Sequence, residues 1–300
     1  MKVLVSGSSG FVGSALVPAL EAAGHEVVRL VRHPAGSGEC HWDIGAGKID
    51  SEALAGVEGV VHLAGAGIGE RRWTEEVKAA IQDSRIDGTR LLCGALAAMG
   101  QPPSVLVSGS AIGYYGDRGA EILDESSSTG TGFLAEVCVA WEAATADAKT
   151  AGVRVVHLRT GVVLGPGGIL TKTLPLFKRG MGGRLGSGNQ YMSWVSLDDE
   201  VGAILHALHD TSVSGPLNAT APNPVTNLDF TSVLAKVLSR PAPLPVPAFA
   251  LSGVLGKEMV TDMVLASQRV MPTRLQSTGY SFTHPELEGS LRAITAKPAS

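Results

Sequence analysis

The first thirteen residues, MKVLVSGSSGFVG, restrict the fold of this chain more than any other stretch. Residues 3–5 form a short apolar run typical of a buried strand. Gly7, Gly10 and Gly13 follow with GxxGxxG spacing, and a helical apolar pattern begins at once. Glycine lets backbone approach phosphate closely, and the free N–H groups of a helix N-terminus attract negative charge. The stretch predicts a dinucleotide-binding site; an ordinary strand-to-helix turn is the alternative.

The bulk composition excludes several classes of protein. The chain has 300 residues, 44% of them hydrophobic and 17% charged, which suits a globular protein with a large core. The net charge is −4 and no basic run occurs, so nucleic acid is not an expected partner. Three cysteines without a CxxC pair argue against a disulfide scaffold or a zinc site. With no signal-like or membrane-length apolar segment, we expect a cytoplasmic protein that contacts no membrane.

The end of the second predicted strand, residues 25–31, bears on the choice of cofactor. NAD-binding folds place Asp or Glu about 20 residues past the glycine turn, where it accepts from the ribose 2′-OH. Here Val31 is followed by Arg32, nineteen residues after Gly13. A carboxylate would repel a 2′-phosphate, whereas arginine can pair with it in bidentate fashion. The sequence therefore favours NADP(H); a solvated arginine at a strand end is the alternative.

Two later stretches are predicted to complete the cleft. Residues 59–65, GVVHLAG, form a nearly all-apolar strand whose end would lie beside the glycine loop. Thr74 then caps a long helix, and Arg85 falls on the buried stripe of that helix. An inward-facing arginine needs an anion, so either an acidic side chain or a phosphate is its expected partner. A further strand at residues 105–108 leads into the segment GSAIGYYG.

Several of these motifs together resemble one superfamily. They are the glycine loop, the strand end LAG at 63–65, SRxxGT at 84–89 and SxSAxGYYG at 108–116. The chain resembles extended and atypical short-chain dehydrogenase/reductases in these segments. Residues 153–168, residues 186–199 and the tail from Pro247 resemble one subgroup: sugar-nucleotide-epimerase-like proteins, also labelled SulA-like, with a small C-terminal domain of unknown function. The similarity covers essentially the full length.

This resemblance implies a Rossmann-type, doubly wound α/β fold with a parallel seven-stranded sheet that holds NADP(H). It places Arg85 and Arg159 near the nicotinamide half of the cofactor. The glycine loop, the corner at Arg32 and the LAG strand end would contact the remainder. The predicted cofactor contacts are Gly7, Ser9, Gly10, Phe11, Val12, Gly13, Val31, Arg32, Leu63, Ala64, Gly65, Arg85, Ser108 and Arg159.

The resemblance also implies a catalytic Ser with a Tyr and a Lys spaced YxxxK, and here the chain departs from the pattern. Ser110 fits the serine position, but residues 132–142 contain neither tyrosine nor lysine. Two hypotheses follow: Tyr114 or Tyr115 supplies the proton from the loop, or the protein binds NADP(H) without turnover. Tyr115 also matches a mostly structural YG of the superfamily, which favours a packing role. The residues at the Tyr and Lys places are Phe133 or Leu134 and Val137 or Cys138.

The domain organisation is predicted to be an NADP-binding Rossmann domain at 1–220, interrupted near 168–195. A C-terminal substrate-side lobe at 221–300 includes the small family-specific domain at about 247–295. The leading hypothesis is hydride transfer to or from a small polar or nucleotide-linked substrate. A non-catalytic redox sensor or scaffold is the alternative. No metal site is expected, and both a monomer and a homodimer fit.

Overall fold

The structure is a computed structural model that describes residues 1–296. Its centre is one parallel sheet, and the short segments outside it cover the carboxyl ends of the strands. The strands are β1 Lys2–Ser6, β2 Glu26–Val31, β3 Glu39–Asp43, β4 Lys48–Ile49, β5 Gly59–His62, β6 Val105–Ala111, β7 Ile122–Leu123, β8 Arg154–Thr160, β9 Val162–Gly165, β10 Gly167–Gly168, β11 Tyr191–Met192, β12 Trp194–Ser196, β13 Gly215–Ala219, β14 Val225–Thr226 and β15 Arg269–Val270.

The helices alternate with the sheet strands through most of the chain. Two short segments each form about one further helical turn. Ile112–Tyr115 directly follows β6, and Val260–Val264 directly follows Met259. The helices are α1 Phe11–Ala22, α2 Glu75–Ala97, α3 Phe133–Ala143, α4 Ala146–Thr150, α5 Ile169–Lys178, α6 Leu197–His209, α7 Asn227–Leu238, α8 Ala248–Leu255, α9 Lys257–Met259, α10 Thr273–Ser277 and α11 Leu287–Ala296.

The main sheet has the order β13-β8-β6-β5-β1-β2-β3-β4. Seven strands run parallel, and the two-residue β4 adds an antiparallel edge that the sequence did not predict. The predicted doubly wound fold is confirmed. The chain leaves β1 toward β2 on one side and later returns as β5 on the other. Ligands of such sheets bind where the strand order reverses, which here is the carboxyl end of β1.

Alternating side chains of the strands build two cores on opposite faces of the sheet. Val3 and Val5 pack with α1 and α6 on one face, while Leu4 packs with α2 and α4 on the other. All three side chains are fully buried, because a parallel sheet is covered on both sides. The hydrophobic layers hold the carboxyl ends of the strands in register.

The back half of the chain leaves the sheet and returns to it. Residues 162–196 form a small sheet of β10, β9 and β12, and β13 then pairs with β8. A separate core joins α5, α7 and α11. The division into lobes at residue 220 stays a prediction, and the last four residues of its second lobe lie outside the described residues. Within residues 1–296, no helix is long and apolar enough to cross a membrane.

Candidate functional site

The glycine loop joins β1 to α1 in a conformation that alanine would disturb. Gly7 has φ +70°, and the N–H of Gly10 donates to the Gly7 carbonyl at 2.9 Å. A Cβ on Gly13 would lie 2.1 Å from the Gly7 oxygen, so α1 begins in direct contact with the loop. No side chain caps α1. Its first N–H groups therefore remain available to an anion.

A cleft of about 930 Å³ opens over this loop at the carboxyl ends of β1, β2 and β5. Its wall contains eight of the predicted cofactor contacts: Gly7, Ser9, Gly10, Val31, Arg32, Leu63, Ala64 and Gly65. The other lining residues, which the sequence reasoning did not select, are Ser8, Arg29, Leu30, His33, Glu39, Trp42, Ile44, Ala66, Gly67 and Ser84. Among these, Arg29 lies two residues before Val31 on β2, so strand alternation was a usable signal.

Phe11 and Val12 begin α1 and lie beside the cleft without lining it. The Phe11 ring instead packs against the glycines of β9 and β10. A Cβ on Gly165 or Gly167 would lie within 2.9 Å of that ring. Phe11 thus fastens the turn between β9 and β10 to the start of α1. Direct contact of Phe11, Val12 and Gly13 with a cofactor stays a prediction.

The outer end of the cleft is rich in cationic groups. Arg29, Arg32 and His33 line it, with Glu39 as the acidic member of the wall. The Glu39 carboxylate accepts from the N–H of Gly36 at 2.9 Å and lies 3.9 Å from the His33 ring. Glu39 is therefore engaged by its own loop. The Arg32 side chain is exposed and forms no ion pair within the described part of the chain, so it can meet an anionic ligand.

Arg85 lies beside Gly65 of the cleft wall but is not itself among the lining residues. Its Nη1 donates to the carbonyls of Ala66 at 2.9 Å and Ile81 at 3.1 Å, and its Cζ lies 5.0 Å from the Trp141 ring. No acidic side chain among residues 1–296 pairs with it, so the predicted alternative of a structural acidic partner is wrong. Burial lowers the pKa of the Arg85 guanidinium. The remaining donors of this half-buried cation are free for a ligand.

A buried network that the sequence reasoning missed fixes the Leu63–Ala64 edge. The Ser6 hydroxyl accepts from the N–H groups of Leu63 at 3.1 Å and Ala64 at 3.2 Å. Its proton is therefore directed to His62 Nδ1 at 2.6 Å, and His62 Nε2 donates to Thr89 at 3.0 Å. Burial lowers the pKa of His62 to about 4, so the ring is neutral. A histidine inside the apolar run GVVH was the available signal.

The two serines predicted for the site, Ser108 and Ser110, are both buried on β6. Ser108 is fully buried on β6, and its hydroxyl has no hydrogen-bond partner among residues 1–296. Ser110 is 5% exposed, and its hydroxyl donates to Glu142 Oε1 at 2.7 Å. The Ser110 hydroxyl thus turns to an acid of α3, and neither serine is among the residues that line the cleft. The cofactor contact of Ser108 and the catalytic role of Ser110 stay predictions.

Arg159 and Tyr115, two further predicted site residues, are buried and hydrogen-bonded to each other. Arg159 donates to both Glu142 oxygens, from Nε at 2.8 Å and Nη2 at 2.9 Å. Its Nη1 donates to the Tyr115 hydroxyl at 3.0 Å, which in turn donates to Asn218 at 2.8 Å. Arg159 is 3% exposed and Tyr115 fully buried, and burial raises the pKa of Tyr115 to about 12. Both side chains are thus engaged within the protein, and the cofactor contact of Arg159 and the proton-donor role of Tyr115 stay predictions.

Tyr114 is the one predicted catalytic side chain that stays accessible. It is half-buried, and its ring centroid lies 3.4 Å from the Arg159 Cζ. Its hydroxyl has no hydrogen-bond partner in the part of the chain that the structure describes. Nearby on α3, Cys138 is buried, and this burial raises the pKa of its thiol to about 11. Cys138 is therefore a thiol and not a nucleophile.

The acidic residues that open α6 do not form a ligand site. Asp199 accepts from the N–H groups of Thr283 at 2.7 Å and His284 at 2.9 Å, which fastens the C-terminal segment. Glu200 is 1% exposed; one oxygen accepts from Thr160 at 2.7 Å and the other has no partner among residues 1–296. Burial raises the pKa of Glu200 to about 8. The described residues contain no cluster of three or more His, Cys, Asp or Glu that could hold a metal.

We expect Glu200→Gln to remove a pH-dependent loss of stability. The Glu200 pKa is about 8 when folded and about 4.5 when unfolded, so stability decreases as the pH rises from 4.5 to 8 and stays low above it. At pH 9 the glutamine variant should exceed wild type by about 1–3 kcal/mol. Urea denaturation at pH 5 and pH 9 measures this. Exposed Glu52→Gln is the control, and an unchanged pH dependence in Glu200→Gln would contradict the assignment.

A parallel sheet with a glycine-rich loop at its strand-order reversal places this chain in the class of Rossmann-fold proteins. The model of the NAD dependent epimerase/dehydratase family matches residues 3–218, and a domain of unknown function (DUF1731) matches residues 246–294. The chain therefore belongs to the NAD dependent epimerase/dehydratase family, and it carries that C-terminal domain. The predicted resemblance is confirmed.

Similar proteins match over nearly the whole chain. The epimerase family protein MT2273 of Mycobacterium tuberculosis is 46% identical over 298 residues, 99% of this chain and 98% of the relative. The crystal structure of the human epimerase family protein SDR39U1 (isoform 2) with NADPH has TM-score 0.90 and 35% identity, covering 99% of this chain and 100% of that one. A nucleoside-diphosphate sugar epimerase from Corynebacterium glutamicum has TM-score 0.81 and 38% identity, covering 98% of this chain and 58% of that one.

Proposed function

We propose that this chain binds NADP(H) in the cleft at the carboxyl end of β1. The residues of the cleft fit such a cofactor. The N–H groups at the start of α1 have no side-chain cap, and a Cβ at Gly13 would overlap the backbone of the glycine loop, so only glycine lets the loop and the helix lie this close together. The cleft volume of about 930 Å³ accommodates a dinucleotide. The human relative, whose structure contains NADPH, supports the same assignment.

The observation that carries the choice of NADP(H) over NAD(H) is the pair Arg29 and Arg32. They line the end of the cleft at β2, where an NAD-binding fold places a carboxylate. Glu39 is the acid of this wall, and its loop and His33 already engage it. The pyrophosphate would lie on the glycine loop and the 2′-phosphate against Arg32. Arg85 would then face the nicotinamide half.

The proposed activity is hydride transfer to or from a small polar or nucleotide-linked substrate, for which bound NADPH supplies the hydride. One observation favours the second candidate, a protein that binds NADP(H) without turnover. The stretch 133–138 has no Tyr or Lys, while Ser110 and Tyr115 are buried and bonded within the protein. Incubation with NADPH and a panel of carbonyl compounds tests the two. Tight binding with no NADPH oxidation would support the second candidate.

We expect Arg32→Ala to weaken NADPH binding about 10–100-fold, because it removes a charge-assisted hydrogen bond of about 1.5–3 kcal/mol. Affinity for NADH should stay unchanged, since NADH has no 2′-phosphate. Calorimetric titration with both cofactors measures the two effects. Arg90→Ala, an exposed arginine of α2 outside the cleft, is the matched control. Equal affinity of wild type for NADPH and NADH would contradict the proposal.

A further inference from the structure

If the chain transfers hydride as proposed above, the reduced substrate needs a proton. Hydride added to a carbonyl carbon leaves negative charge on oxygen, and a positioned acid must neutralise it. Related enzymes use the Tyr of YxxxK, with the Lys cation beside it. Here Phe133 or Leu134 stands at the Tyr place and Val137 or Cys138 at the Lys place, and none of these side chains can give a proton near neutral pH. The acid must therefore come from another element.

Tyr114 has the geometry that this role requires. It follows β6 in the one-turn segment Ile112–Tyr115, and the backbone around it is fixed: the Tyr114 carbonyl accepts from the Gly130 N–H at 2.9 Å and from Thr129 at 3.0 Å. The side chain is half-buried, and its hydroxyl is free of protein partners within residues 1–296. The neighbouring Tyr115 differs, since its hydroxyl is fully engaged. Of the two tyrosines, Tyr114 is thus the one whose hydroxyl is open to a ligand.

A permanent cation lies under the Tyr114 ring. The Arg159 Cζ is 3.4 Å from the ring centroid, a stacked cation–π geometry. Two hydrogen bonds to Glu142 hold the guanidinium in this orientation, and Ser110 donates to the same carboxylate. Arginine does not lose its charge in proteins. The cation therefore stabilises negative charge that develops on Tyr114 when its hydroxyl gives up a proton.

Helix α3 connects the pair to Arg85, which lies beside Gly65 of the cleft wall. Arg85 beside Gly65 packs on Trp141, and the next residue of α3 is Glu142, which binds Arg159. Tyr114 and Arg85 therefore flank the same helix, α3, at the carboxyl ends of β5, β6 and β8. A substrate carbonyl next to the nicotinamide end would lie between the elements that carry these two side chains.

We propose that Tyr114 is the proton donor of the reaction and that Arg159 takes the place of the missing lysine. In the reductive direction the carbonyl carbon accepts hydride from NADPH, the carbonyl π bond breaks toward oxygen, and that oxygen takes the Tyr114 proton. The products are an alcohol and NADP⁺, and water then returns a proton to the Tyr114 oxygen. Ser110 and Glu142 are positioning residues, because they act through Arg159.

Chemical modification of the protein without cofactor tests the pair directly. N-acetylimidazole acylates the more nucleophilic phenol oxygens, and mass spectrometry locates the products. Tyr191 is the matched comparison, since it is also half-exposed and lies over an arginine, Arg269, at the longer distance of 4.9 Å. Tyr114 should acetylate several-fold faster than Tyr191, and less so in Arg159→Gln. Equal or slower acetylation of Tyr114 would overturn the proposal.

Turnover provides the second readout. With NADPH and 4-nitrobenzaldehyde or 9,10-phenanthrenequinone as probes, Tyr114→Phe should lower kcat about 10²–10⁴-fold, whereas Tyr191→Phe should not. NADPH affinity should be unchanged in Tyr114→Phe. Retained kcat in Tyr114→Phe, or NADPH binding without oxidation by either probe in wild type, would overturn this inference. Absence of NADPH binding in wild type would instead overturn the proposed function.

The role of Arg159 is separated from simple packing by a conservative variant. Arg159→Lys keeps the cation and should keep more of kcat than Arg159→Gln, with similar KM in both. A structural role alone would make the two variants equally active at equal folded fraction, measured by circular dichroism. That equality would remove Arg159 from the proposal.

Discussion

Gly13→Ala is expected to lower NADPH affinity at least about 100-fold and to destabilise the fold by about 1–3 kcal/mol. The added Cβ would lie 2.1 Å from the Gly7 carbonyl oxygen and 2.8 Å from both the Gly7 carbon and the Ser8 Cα. All three are backbone atoms, so no side-chain rotation relieves the overlap. Either α1 or the loop must move, and the N–H groups then no longer converge on a phosphate.

Calorimetric NADPH titration and urea denaturation measure the two effects, and two other glycines calibrate them. A Cβ on Gly289, an exposed position of α11, meets nothing within 4 Å, so Gly289→Ala should leave NADPH affinity unchanged and raise stability by about 0.5–1 kcal/mol, because alanine favours a helix. At Gly10 the Cβ would contact only the Gly7 oxygen, at 3.2 Å, which predicts an intermediate effect. If Gly13→Ala bound NADPH like Gly289→Ala, the loop would not be the phosphate site.

The glycine loop and its place at the sheet edge were predictable because their determinants are local. Gly7, Gly10 and Gly13 restrict the backbone conformation of one turn. The alternation of strands and helices brings Arg32, directly after β2, to the same edge of the sheet as this turn. These features depend on backbone conformation and on the order of elements, both of which short sequence patterns encode. The parallel sheet followed from the same alternation of strands and helices.

The inner end of the site was less predictable, because side-chain partners there come from distant parts of the chain. Ser110 and Arg159 both turn toward Glu142, 32 and 17 residues away along the chain. Nothing in the sequence near Ser110 shows whether its hydroxyl faces a cleft or an acid on the covering helix. The sequence analysis placed Ser110 just after a strand ending at residue 108, whereas the structure extends β6 through Ser110. The orientation of its hydroxyl depends on how α3 packs, which is tertiary information.

Arg85 shows the reverse case, in which tertiary information decides between two hypotheses left open by the sequence. Helical periodicity placed it on the buried stripe of α2, and burial demanded a partner. The structure provides two carbonyls and the face of Trp141 but no carboxylate within residues 1–296. A cation with polar neighbours and no counterion beside a cleft wall favours an anionic or ribose-bearing ligand.

The second large effect is expected at Glu142. Glu142→Leu should destabilise the protein by about 3–5 kcal/mol, because it leaves the Arg159 charge without a counterion in a site where that side chain is 4% exposed. The Ser110 hydroxyl would lose its acceptor at the same time. Urea denaturation measures the change. The matched control is Glu288→Leu, which removes the acid of exposed ion pairs with Lys236 and Arg292 and should change stability little.

A double variant separates the energy of the ion pair from the cost of breaking it. Glu142→Leu combined with Arg159→Met removes both charges, so most of the stability lost in Glu142→Leu should return. Turnover should not return, because the cation under Tyr114 is gone. A double variant as unstable as Glu142→Leu would show that the pair stabilises the fold by itself. Recovery of stability without activity would instead show that the pair is kept for the chemistry at Tyr114.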